Sequence, residues 1–124
     1  MAQILNEEIL DWNFLSKCET PKWMQEILVE GEVVYQAYKT VRDVAALTNK
    51  RIILSNRQGL TGKKNEVFSI PYRSINMWSS ENKGHLDFNN ELTIWSRIGT
   101  FKIKVATKCD VREFDRILGN GILN

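Results

Sequence analysis

Residues 99–119 read GTFKIKVATKCDVREFDRILG, and the period of their apolar positions changes once, at Asp110. Phe101, Ile103 and Val105 alternate with Lys102 and Lys104, the two-residue period of a strand with one buried face. From there the apolar positions become Val111, Phe114, Ile117 and Leu118, the steps of an amphipathic helix. Asp110 and Glu113 stand at capping-box spacing, with Asp in the usual Ser/Thr place, and Gly119 is expected to stop the helix. Burying those four side chains contributes roughly 1.5–3 kcal/mol each against about 1 kcal/mol for the cap. Packing against an open barrel mouth, rather than capping, should therefore hold the helix.

Upstream of this stretch, Leu92 and Ile94 share one face of a further strand, and Ile75 to about Glu81 forms another. Val67, Phe68 and Ile70 make a strand that stops or lies at an edge at Pro71, which cannot donate to a ladder. Asp43 to Thr48 and Arg51 to Ser55 pair across Asn49-Lys50, a tight turn in which Asn tolerates positive φ. From Glu32, Val33, Tyr35 and Ala37 alternate with Val34, Gln36 and Tyr38. About seven short strands closed by one helix describe a mainly β (α+β) small barrel. Ahead of it, Leu5, Ile9 and Trp12 recur at helical spacing after Asn6-Glu7-Glu8. A second helix is expected with Thr20 as cap, Pro21 in the first turn, Trp23, Ile27 and Leu28 as its stripe and Gly31 at its end. The chain divides accordingly into an N-terminal helical segment, 1–30, and a barrel domain, 31–124, within a single domain overall.

With 124 residues, 43% apolar and 26% charged, the composition is that of one globular domain and excludes wholesale disorder. Apolar runs such as Ile52-Ile53-Leu54 are too short for a membrane-spanning helix. No secretory signal is legible and a cytoplasmic location is expected. Cys18 and Cys109 form no CxxC pair and His85 is the one histidine, so reduced structural thiols are expected, with no metal and no cofactor. Residues 1–32 hold seven acids and two bases, whereas 39–64 hold seven bases and one acid. That asymmetry suggests docking of the two blocks on each other or contact between subunits; solvated faces are the bland alternative.

Motifs that carry chemistry are weak. Gly59-Leu60-Thr61-Gly62-Lys63-Lys64 has two residues between its glycines where a phosphate loop needs four, and no Ser or Thr follows the lysine. His85, Asp87 and Glu91 could form an acid-base cluster, but they specify neither a nucleophile nor a metal, and a polar turn is the simpler reading. No enzyme is expected. Lys50, Arg51, Arg57, Lys63 and Lys64 could attract anionic membrane lipid, opposed by the acidic N-terminal block. Nucleic-acid binding is not expected at a net charge of +2. Trp95 points away from Leu92 and Ile94, so it is either a subunit contact or covered by the first helix.

The order of Thr48-Asn49-Lys50-Arg51, Gln58-Gly59 with Gly62-Lys63-Lys64, Ser69-Ile70-Pro71-Tyr72-Arg73-Ser74-Ile75, Gly84-His85 and Glu91-Leu92-Thr93-Ile94-Trp95 resembles the bacterial pleckstrin-homology-like (PH-like) domain family over about residues 30–118. The resemblance implies a PH-like barrel of two near-orthogonal antiparallel sheets, seven strands in all, plugged by the C-terminal helix. It further implies a cyclic homo-oligomer, a pentamer ring for single-domain members, that serves protein-protein interaction. Lys63, Lys64, Tyr72, Arg73, His85, Asp87 and Glu91 are the partner-binding residues carried over from the matching motifs. Peripheral binding to anionic membrane lipid is the alternative use of the same basic surface. In eukaryotic PH domains a basic loop between the first two strands clamps phosphates; the link near Lys39 to Arg42 is too short for that.

Overall fold

The chain runs β1 (Asp11–Cys18), α1 (Lys22–Gln25), β2 (Val34–Thr40), β3 (Val44–Thr48), β4 (Arg51–Gln58), β5 (Lys64–Pro71), a 3-10 turn (Tyr72–Ser74), β6 (Ile75–Glu81), β7 (Asn90–Ser96), β8 (Gly99–Val105) and α2 (Val111–Ile122). This computed structural model describes residues 11–58, 64–82, 90–97 and 99–124. Eight strands form one sheet in the order β5-β4-β3-β2-β1-β8-β7-β6. The expected seven strands in two sheets are thereby corrected, and the cause is β1. Where a helix through Trp12 was expected, Trp12 and Phe14 alternate inward as strand residues and are fully buried. Leu5 and Ile9, the rest of that expected helix, lie outside the described residues.

β1 pairs antiparallel with β2 and parallel with β8, so it joins what would otherwise be two separate sheets. The expected all-antiparallel pairing is corrected at this one junction. The other six neighbouring pairs are antiparallel. Inside the curled sheet, Phe14, Tyr38 and Phe114 pack ring against ring, with centroids 5.2 Å (Phe14–Tyr38), 4.9 Å (Tyr38–Phe114) and 5.6 Å (Phe14–Phe114) apart. Val111, Phe114, Ile117 and Leu118 of α2 are buried against this core, as their spacing predicts.

The ends of α2 differ from expectation. Asp110 accepts from the Arg112 N–H at 3.0 Å, but Glu113 does not complete a capping box. Its carboxylate instead takes a hydrogen bond from the Tyr38 hydroxyl at 3.4 Å and an ion pair from Lys17 at 3.2 Å. Gly119 does not stop the helix, which continues to Ile122. Gly121 explains why: it lies directly on the Tyr72 ring, where a methyl group would overlap the aromatic carbons. The last turn is held by this close approach.

The second expected helix shrinks to the single turn α1. Thr20 does not cap it; the Thr20 carbonyl accepts from the Gln25 side-chain amide at 3.3 Å. Met24, rather than the stripe of Trp23, Ile27 and Leu28, is the fully buried anchor. It sits on Ala37, Ala46 and Ile53, the outward faces of β2, β3 and β4, with Trp23 and Leu28 packed around it. These small and branched residues let residues 19–33 lie across the outside of the sheet as a second, minor core. Gly31, at φ 81°, makes the turn that returns the chain to β2.

Candidate functional site

The β3–β4 turn, the 3-10 turn and the end of α2 form a groove of about 470 Å³, lined by Asn49, Lys50, Arg51, Ser69, Tyr72 and Arg73, with Val29, Glu32, Gly121 and Asn124 also at its surface. The turn forms as expected, but not through positive φ at Asn49: Gly31 is the one such residue among those described. Asn49 instead acts through its side chain. Its carbonyl oxygen accepts from the Val33 N–H at 2.8 Å and its amide donates to the Gly31 carbonyl at 3.1 Å. Thr48 accepts from the Lys50 and Arg51 N–H groups, both at 2.9 Å. These bonds fix the turn from both sides.

The floor is an ion pair. Arg51 Nε and Nη2 donate to the two Glu32 oxygens at 2.8 and 3.0 Å, a bidentate fork. Arg51 Nη2 also donates to the Ile27 carbonyl at 2.9 Å, and Nη1 donates to Ser69 Oγ at 3.0 Å. Glu32, whose side chain is entirely buried, accepts further bonds from the Thr48 hydroxyl at 2.7 Å and the Val29 N–H at 3.0 Å. Burial alone pushes its pKa up, but the bonds from Arg51, Val29 and Thr48 and the Arg51 charge outweigh it and hold the carboxyl below its ordinary value. One contact of the kind the charge asymmetry suggests is thus present: Glu32 of the acidic block on Arg51 of the basic block.

Of the partner residues carried over from the resemblance, Tyr72 and Arg73 come together at this groove. Tyr72 is buried with its hydroxyl donating to the Thr48 carbonyl at 2.7 Å. Burial, then the neighbouring Tyr35 and Glu32, raises its pKa. Arg73 is exposed. Lys64 opens β5 opposite Gln58, at the other end of the strand and roughly 23 Å along it at ~3.3 Å per residue. Glu91 lies on β7 between Glu81 of β6 and Lys104 of β8. Lys63, His85 and Asp87 lie outside the described residues. Glu32 and Thr48 are not among the expected partner-binding residues; the sequence signal that points to them is the short step from an acidic block to a basic turn.

A second concavity opens where the sheet fails to close. β5 and β6 are its two edges, and a cleft of about 360 Å³ beside β5 is lined by Phe68, Ile70, Pro71, Ser96, Arg97 and Phe101. Pro71 is the last residue of β5, an edge strand, where its missing N–H costs the β4 ladder nothing because that position faces away from β4. On the outside of β6–β7, Trp95 is half-buried and faces Met77 in register. Among the described residues no group of His, Cys, Asp and Glu is arranged to hold a metal. No helix among them is long and apolar enough to cross a membrane.

The family described as Bacterial PH domain matches residues 3–122. The chain belongs to that family. Two bacterial PH domains of known structure share its fold. One, a DUF1696 family protein with a pleckstrin-homology domain from Shewanella loihica PV-4, is 29% identical with a TM-score of 0.77 over 86% of this chain and 96% of that one. The other, from Shewanella amazonensis SB2B, is 33% identical with a TM-score of 0.65 over 82% and 84%. Among curated proteins of Bacillus subtilis (strain 168), the uncharacterized protein YjqA is 48% identical over 81 residues, 65% of each chain, so the match spans just under two thirds of YjqA. The uncharacterized protein YozO is 32% identical over 104 residues, 84% of this bacterial PH domain and 90% of YozO.

Proposed function

We propose that this bacterial PH domain is a non-catalytic interaction module that assembles head to tail into a ring, five-membered as the family resemblance implies, and presents a composite surface to a partner protein. The observation that carries this reading is the pair of unmatched sheet edges. Tyr72 N–H donates to the Lys50 carbonyl at 3.1 Å, and bonded and non-bonded pairs alternate along an antiparallel ladder. With Pro71 opposite Arg51 and no shift along β5, Asn65, Val67 and Ser69 therefore turn their backbone N–H and C=O groups away from β4. Such an edge is a template for another strand.

Because the edges are β5 on one flank and β6 on the other, a contact between them is heterologous, and it closes into a ring when its rotation divides the circle. Val67 and Met77, 43% and 53% exposed, supply apolar area on the two flanks. Trp95 beside Met77 extends it and supports the subunit-contact reading of that residue.

Light scattering after size exclusion tests the proposal. The wild-type chain should elute with a mass close to five times its own. Val67→Pro removes one outward N–H and leaves the β4–β5 ladder whole, so it should yield a smaller folded species. A wild-type monomer at micromolar concentration would overturn the reading.

A further inference from the structure

We propose that the groove at the Asn49-Lys50 turn takes an acidic peptide segment of the partner, with Lys50 and Arg73 pairing with its carboxylates and Arg51 as the fixed floor. The inference rests on the interaction reading above and adds the partner's chemistry. Lys50 and Arg73 both line the groove and are exposed, and neither side chain has an ion pair or hydrogen bond among the described residues. Glu32, the carboxylate side chain lining the groove, is not available to them: both of its oxygens are already occupied by Arg51, Thr48 and Val29. Glu32 and Arg51 cancel, and Lys50 and Arg73 remain without a side-chain ion pair among the described residues.

Arg51 adds a donor that does not need to be ordered on binding. Four of its hydrogen bonds are made within the protein, out of about five that a guanidinium can donate, which leaves one Nη1 hydrogen. A guanidinium held in place in this way loses little entropy when an anion arrives. The walls are apolar where a peptide's side-chain stems would lie: Val29 is 56% exposed and Pro71 is exposed. Charge on the flanks favours a narrow ligand over a membrane. Glu26 and Glu30 are exposed on the same segment as Val29, so a flat anionic bilayer would meet these carboxylates, whereas an extended chain in the groove meets Lys50 and Arg73.

The test uses a fluorescein-labelled octapeptide of alternating Glu and Leu, its Gln-for-Glu counterpart, and phosphatidylserine vesicles. The acidic peptide should bind and the Gln peptide should not, with affinity falling at least about tenfold from about 0.05 to about 0.3 M salt. Lys50→Glu with Arg73→Glu should weaken binding by at least about tenfold. The same charge change at Lys102 and Lys104, exposed on β8, should shift it less than about twofold. Lys50→Gln with Arg73→Gln should move it the same way by a smaller factor, and far-UV dichroism should show all variants folded. Equal loss in the two Glu pairs, binding of both peptides alike, or vesicle retention that needs Lys50 and Arg73 without peptide binding would each overturn the inference. Light scattering on the same samples separates the two claims. An intact ring that ignores the acidic peptide sinks only the groove, and a monomer that binds it sinks only the ring.

Discussion

Glu32 shows how one side chain can hold three segments at once. Its carboxylate ties the Val29 backbone, the Thr48 hydroxyl and the Arg51 guanidinium, so removing it leaves a largely buried cation without its counter-charge. Glu32→Ala should cost about 3 kcal/mol, read by urea denaturation. A pH dependence follows with a definite sign. The folded carboxyl titrates below the ordinary glutamate value of 4.5, so the folded state binds fewer protons in that window and stability rises with pH through it. The contribution is complete above about pH 4.5 and is lost as pH falls through the folded value. Denaturation curves between about pH 3 and 6 should show this component in the wild type and not in Glu32→Gln. The charge asymmetry suggests a contact between the two blocks but does not single out Glu32, which reads as the polar start of a strand and whose partners Thr48 and Arg51 lie 16 and 19 positions away.

Among the elements, α2 carries two glycines whose meanings are opposite. Gly119 has room for a methyl group, the nearest atoms being Trp78 at 3.9 Å and Leu123 at 4.0 Å. Gly119→Ala should therefore stabilise the domain by roughly 0.5–1 kcal/mol through helix propensity. Gly121→Ala gains the same propensity but overlaps the Tyr72 ring, and should destabilise by about 1–3 kcal/mol. Thermal melts of the two variants should move in opposite directions. Asp115 adds to the hold on this helix, accepting from Trp78 Nε1 at 3.2 Å and from Ser80 Oγ at 2.6 Å on β6. The apolar face of α2 and the alternation in β8 could be read from period, since each buries one face that only one period can supply, whereas β3 and β4, buried on both faces, are marked by the Asn49-Lys50 turn between them. Gly119 misled because a glycine after an apolar stripe signals a stop only where no ring waits beyond it to receive the next turn. β1 misled because Leu5, Ile9 and Trp12 fit a helix, while Trp12 and Phe14 fit a strand over a shorter window.

For the molecule as a whole, the parallel β1–β8 pair makes one sheet of what would be two, and leaves β5 and β6 as its flanks. If those flanks meet between protomers, Trp95→Ala should weaken assembly by about 2 kcal/mol, the scale of a central aromatic contact. Concentration-dependent light scattering would register it as a dissociation midpoint raised by roughly thirtyfold. Val67→Pro should act on the opposite flank through the backbone instead. The separation of Lys64 from Tyr72 and Arg73 follows from the strand expected through Val67 and Ile70, which they flank, and not from motif order, which carries no distance.

The parallel junction also governs the order in which a growing polypeptide can complete itself. Asp11–Cys18 is synthesised well before its parallel neighbour Gly99–Val105. Until β8 is made, Trp12 and Phe14 have only part of their enclosure, and the nascent chain carries uncovered aromatic surface until that strand emerges. Pulse-labelled, ribosome-stalled chains ending before residue 99 should accordingly be protease-sensitive throughout, and protection should arrive in a single late step.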